Sequence, residues 1–113
     1  MITIYHNPRC RKSREGLELL ESSGKPFKII KYLDDLLTED QLKAIITKLD
    51  IQPIALVRKN EAIWKSDFKG KDLSDDQIIK AMVQNPKLIE RPIVVNGGKA
   101  VIGRPKELIS EII

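Results

Sequence analysis

Apolar positions recur along this chain with two periods, and the changes between them mark its elements. Residues 2–5, Ile-Thr-Ile-Tyr, are β-prone and closed by Asn7-Pro8, which predicts a short buried strand followed by a turn. From Lys12 onward, Leu17, Leu19 and Leu20 fall at helical spacing, and Gly24 after Ser22-Ser23 supplies a C-terminal stop. Phe27, Ile29 and Ile30 predict a second strand. Thr38-Glu39-Asp40-Gln41 is a capping-box pattern opening a helix with Leu42, Ile45, Ile46 and Leu49 on one face. Ser74-Asp75-Asp76-Gln77 repeats the pattern ahead of Ile78, Ile79, Met82 and Val83, and that helix is predicted to end near Asn85-Pro86.

The stretch from Gln52 to Lys71 shows no clear period. Beyond it, Pro92-Ile93-Val94-Val95 and Lys99-Ala100-Val101-Ile102 flank Asn96-Gly97-Gly98, a hairpin signal. Pro105 is predicted to open a closing helix carrying Leu108, Ile109, Ile112 and Ile113. The order β-α-β, then helices, then β-β-α, points to an α/β class and within it to a thioredoxin-like fold with helices inserted before the third strand.

At 113 residues and 42% hydrophobic, the chain is read as one domain, residues 1–113. The first eight residues are too short and too polar for a secretory signal, and no apolar run approaches the ~20 residues that span a membrane, so a soluble, cytoplasmic protein without membrane contact is expected. The formal charge of +4 comes from interspersed acids and bases, as in Lys31-Tyr32-Leu33-Asp34-Asp35, which suits a small anionic substrate better than nucleic acid.

One cysteine permits no intramolecular disulfide and no multi-cysteine metal site, so no metal is expected. That cysteine, Cys10, lies at the predicted start of the first helix, with Arg9, Arg11, Lys12 and Arg14 beside it and His6 four residues earlier. N–H groups of a first helical turn carry partial positive charge and, like nearby cations, favour thiolate over thiol. A structural cysteine would sit among apolar neighbours; Cys10 does not, so it is read as the reactive group. Cys10-Arg11-Lys12-Ser13 keeps the spacing of a Cys-x-x-Cys redox pair with serine in second place, so oxidised Cys10 must be resolved by an external thiol.

Ile4-Tyr5-His6-Asn7-Pro8-x-Cys10-x-x-Ser13-Arg14 resembles the active-site motif of the glutaredoxin-dependent arsenate reductase family. Leu56-Val57-Arg58-Lys59-Asn60, Arg91-Pro92-Ile93-Val94-Val95 and Ile102-Gly103-Arg104-Pro105 resemble the family's three arginine segments, so the likeness runs along essentially the whole chain. It implies that Cys10 attacks arsenate, that Arg58, Arg91 and Arg104 bind the oxyanion, and that His6 assists the thiol or moves a proton. It also implies a cis-proline at Pro92 facing the thiol, with Ser13 and Arg14 structural at the site. The family binds no cofactor, uses glutathione as co-substrate and relies on glutaredoxin as partner. Arg11 and Lys12 stand where the family typically carries glycine and threonine, and the chain's end at Ile113 resembles a shorter branch.

Two other readings share this fold. One is a regulator resembling Spx-type proteins that bind RNA polymerase, although Ser13 removes their intramolecular disulfide switch. The other is a general monothiol oxidoreductase acting on glutathione mixed disulfides, which the Cys-x-x-Ser spacing alone allows equally well.

Overall fold

The computed structural model describes every residue, Met1–Ile113, and divides into two compact units. The first comprises Met1–Asp35 and Arg91–Ile113, the second Leu36–Glu90.

The first unit holds a four-stranded sheet in the order β2-β1-β3-β4, with β1 Ile2–Tyr5, β2 Phe27–Ile30, β3 Ile93–Asn96 and β4 Lys99–Ile102. Strands β1 and β2 run parallel, Ile2 opposite Phe27 and Tyr5 opposite Ile30, which requires a crossover. Helix α1, Arg11–Ser22, supplies it. Strand β3 returns antiparallel to β1 and pairs with β4 through a loop of Gly97 and Gly98, with Gly97 at φ +61°, where a side chain is disfavoured. Ile2, Ile4, Leu20, Val94 and Ile109 form the buried core of this unit, and Leu17, Phe27, Val101 and Ile112 pack around it.

The second unit contains α2 Glu39–Leu49, α3 Ala62–Asp67 and α4 Asp75–Gln84, with short 3₁₀ turns at Pro53–Leu56 and Pro86–Leu88. Both predicted capping boxes form: Thr38 Oγ1 accepts from Gln41 N–H while Gln41 returns a bond to Thr38 N–H, and Ser74 and Gln77 do the same. Leu42, Ile45 and Ile46 of α2 and Ile78, Ile79 and Met82 of α4 are buried, and the two helices pack together. The stretch without a clear period is the 3₁₀ turn and the six residues of α3, where Trp64 stacks on Phe68 with ring centroids 5.5 Å apart. No helix is long and apolar enough to cross a membrane.

The closing helix differs from its expectation. Helix α5 is Glu107–Ser110, and Pro105 lies outside it after a cis Arg104–Pro105 bond. Leu108 N–H bonds Pro105 O and Ile109 N–H bonds Lys106 O, so a three-residue turn leads into α5, and Glu111 and Ile112 N–H close its end in the same way onto Leu108 O and Ile109 O.

Pro92, also preceded by a cis bond, is fully buried where α1, β4 and α5 converge. Two glycines make room for it. A Cβ on Gly16 would lie 2.9 Å from Pro92 Cγ, and one on Gly103 would lie 2.8 Å from Ile109 Cδ1 and 3.1 Å from Pro92 Cγ. Gly103→Ala is therefore expected to cost about 1–3 kcal/mol through overpacking. Gly98, which faces open space, should tolerate alanine with little loss. Urea unfolding of the two variants checks this, and equal midpoints would refute it.

Candidate active site

The site begins where β1 ends. His6 N–H donates to Ile30 O at 2.8 Å, extending the parallel ladder one residue past β1 and fixing the direction in which the chain leaves the sheet. Asn7, Pro8 and Arg9 then turn: Cys10 N–H returns to Asn7 O at 3.0 Å, and Arg9 N–H donates to Asn7 Oδ1 at 3.0 Å. Arg14 Nη1 ties the turn from outside by donating to Pro8 O at 2.9 Å. Cys10 is the N-cap of α1, with extended φ −96° and ψ 123°, and its carbonyl accepts the first helical bond from Arg14 N–H.

Beneath the turn lies Ser13, a fully buried hydroxyl. Its Oγ accepts from Asn7 N–H at 3.0 Å and shares a 2.6 Å hydrogen bond with Nδ1 of the buried His6. Burial, followed by the charges of Lys31 and Arg14, pushes the His6 imidazole below its ordinary pKa, and the Ser13 hydrogen bond opposes this only in part. The imidazole is thus neutral near pH 7 and is directed at Ser13.

Cys10 is half-buried. Arg91 Nε–H donates to its Sγ at 3.1 Å. Partial burial raises the thiol pKa. The Ser13 N–H, the Arg91 charge, the Arg91 hydrogen bond and the Lys12 N–H all lower it and together prevail, leaving Cys10 below the ordinary thiol value. The cation on the sulfur therefore comes from 81 residues away. The four adjacent in sequence are engaged elsewhere or exposed: Arg14 on Pro8, Arg11 and Lys12 on Glu15 at 3.6 Å each, and Arg9 in solvent.

Arg91 leads into the buried Pro92, whose carbonyl accepts from Gly103 N–H at 2.8 Å. That bond sets the backbone carrying the exposed Arg104 alongside the backbone carrying Arg91. Arg58 belongs to the second unit. There its N–H donates to Leu88 O at 2.7 Å beside a Val57–Ile89 bridge, and its guanidinium lies 3.7 Å from Glu61 and 3.8 Å from Glu90. The first unit thus brings together Cys10, Arg91, Ser13, His6 and Arg14, with Arg104 on a neighbouring strand end. The local reading of the sequence did not single out Glu15, which faces both basic residues following the cysteine; its i+3 and i+4 spacing from them was the available signal.

A thiolate with a guanidinium against it and backbone N–H groups at its base is a nucleophile suited to attacking the centre of a tetrahedral oxyanion.

A family model described as the ArsC family matches residues 5–112. An arsenate reductase of Haemophilus influenzae is 43% identical, covering 99% of this chain and 96% of its own. An arsenate reductase of Escherichia coli K12 is 42% identical, covering 99% of this chain and 80% of its own. The solved structure of an arsenate reductase from Vibrio cholerae superposes with a TM-score of 0.94 at 44% identity, covering 99% of this chain and 97% of that one. The chain belongs to the ArsC family and has its thioredoxin-like fold.

Two outcomes follow from the electrostatics. In Arg91→Gln the Cys10 pKa should rise, because a charge and an Nε donor that favour S⁻ are lost; the pH profile of iodoacetamide alkylation reads this, and an unmoved midpoint would contradict it. For His6, the only histidine, the unfolded chain takes up the proton at a higher pH than the folded chain does. Its contribution to stability is therefore complete above the ordinary histidine pKa and is lost as pH falls through the lower folded value. Urea midpoints should decline more steeply on acidification for the wild type than for His6→Gln.

Proposed function

We propose that this ArsC-family chain reduces arsenate to arsenite through a covalent adduct on Cys10, with glutathione and glutaredoxin supplying the electrons. The observation that carries the reading is the Arg91 Nε–H on Cys10 Sγ at 3.1 Å, because one guanidinium can then favour the thiolate and meet an oxyanion arriving at it. The substrate comes from the relatives, since arsenate reductases of Haemophilus influenzae and Escherichia coli K12 are 43% and 42% identical to this chain.

In the first step the Cys10 thiolate attacks arsenic, an S–As bond forms, and one arsenate oxygen leaves as water. Arg91 and Arg104 are assigned to hold the remaining oxygens, as planar multi-donor groups suit tetrahedral oxyanions. The family likeness alone assigns Arg58 the same task. Glutathione next displaces a second oxygen as water and forms a second S–As bond. A glutaredoxin thiolate then attacks the glutathione sulfur; that S–As bond breaks with its electron pair left on arsenic, which passes from As(V) to As(III), and a glutaredoxin–glutathione disulfide departs. Water releases arsenite from Cys10 and restores the thiol. Two thiols supply both electrons, so the cycle calls on no bound cofactor, and its setting is a reducing compartment such as the cytoplasm.

In this scheme Ser13 and Arg14 hold the turn that carries the thiol, Pro92 fixes the backbone behind Arg91, and neutral His6 acts through Ser13 as a positioning residue. The test is turnover with arsenate, glutathione and glutaredoxin. Cys10→Ser should show no turnover above background. Arg91→Ala should lower kcat/KM about 10- to 100-fold, the range for losing a hydrogen bond to a charged group. A Cys10→Ser variant as active as wild type would sink the mechanism.

A further inference from the structure

Arg11 and Lys12 open α1 directly after the thiol, and their side chains are 85% and 55% exposed. Both reach toward one carboxylate: Arg11 Nε lies 3.6 Å from Glu15 Oε1, and Lys12 Nζ lies 3.6 Å from Glu15 Oε2. A single carboxylate against two cations leaves the group net positive. Exposed pairs of this kind hold with about 0–1 kcal/mol, so both cations can exchange toward an incoming anion. The N–H groups of Lys12 and Ser13 are already directed to Cys10. The solvent-facing charge at this helix start is therefore that of side chains and not of a vacant helix terminus, and the exposed Arg9, which precedes Cys10 in the chain, adds to it.

With one cysteine in the chain, a mixed disulfide on Cys10 is resolved by a thiolate that arrives from solution, where these exposed cations meet it. The attacking species is the thiolate, so glutathione arrives as a dianion, 2-mercaptoethanol as a monoanion and cysteamine as a net-neutral zwitterion, and these cations attract them in that order.

We propose that Arg11 and Lys12 are specificity-determining residues that select the resolving thiol by charge, favouring a small thiol that carries carboxylates, as glutathione does. This rests on the reading of Cys10 as a thiol resolved from outside. The step is ordinary exchange: the incoming thiolate attacks the outer sulfur of a Cys10 mixed disulfide, a new S–S bond forms, and the electron pair of the broken bond leaves on Cys10.

The test uses the whole chain with Cys10 loaded as its mixed disulfide with 2-mercaptoethanol. Release of Cys10 is followed with glutathione, 2-mercaptoethanol and cysteamine, each rate being expressed per thiolate. Relative to wild type, Arg11→Gln/Lys12→Gln should lower the glutathione rate about 5-fold more than the 2-mercaptoethanol rate, the factor one further unit-charge pair at ~4 Å supplies in water, and should leave the cysteamine rate nearly unchanged. The 2-mercaptoethanol rate should fall by less than the glutathione rate, and both effects should fade at ~1 M salt. Unchanged ratios among the three thiols would overturn the proposal. So would an equal change in all three, since that would mean Cys10 itself had altered. No arsenate enters the assay, so its failure is separable from failure of arsenate turnover.

Discussion

The buried Ser13 hydroxyl is the constraint on which the site depends. Strand β1 must hand the chain to α1 across a turn of only a few residues, and that turn exposes N–H groups the sheet no longer satisfies. Ser13 Oγ takes the Asn7 N–H from one side and bonds His6 from the other, so strand end, turn and helix start become one body. A buried imidazole and a buried hydroxyl are each costly alone, and they satisfy one another. The Ser13 backbone N–H then faces Cys10, so one residue holds the turn with its side chain and favours the thiolate with its main chain.

The other half of the site arrives by packing. Arg91 could not reach the sulfur from the edge of β3 unless Pro92 lay deep against α1 and α5, and the space for it exists because positions 16 and 103 have no side chain. Gly103 serves twice, since its N–H also bonds the Pro92 carbonyl. The Arg91 and Arg104 segments, at the two ends of the β3–β4 hairpin, are thereby aligned by a proline, two glycines and Ile109. An apolar cluster thus sets the geometry of the charged groups, and close packing transmits any change of volume there to the guanidinium.

How much of this was legible in the sequence follows the range of each interaction. The strand at 2–5, both capping boxes, the Gly97-Gly98 hairpin and the thiol at a helix start obey rules that act within four residues, and they read directly from the chain. The segment from Gln52 to Lys71 did not, because its order comes from distant partners, the Val57–Ile89 bridge and the burial of Trp64. The last helix is shorter than its pattern suggests: Leu108, Ile109, Ile112 and Ile113 have helical spacing, yet α5 covers only Glu107–Ser110 and three-residue turns flank it. Local charge suggested that the neighbours of Cys10 lower its pKa. Backbone donors within three residues do so, but the cation is Arg91, which only the family likeness brought to notice.

Helical periodicity explains how long basic residues are accommodated beside the thiol. Ser13, Gly16 and Leu20 mark the buried face of α1, so positions 11 and 12 point outward. The Lys12 and Ser13 N–H groups that favour the thiolate belong to the backbone and are present whatever side chain follows the cysteine. Arg11 and Lys12 therefore leave the donors at the sulfur undisturbed, and Glu15 one turn along pairs with both. The donors at the sulfur thus belong to the backbone and the surface charge beside them to side chains, which leaves the surface free to vary while those donors stay in place.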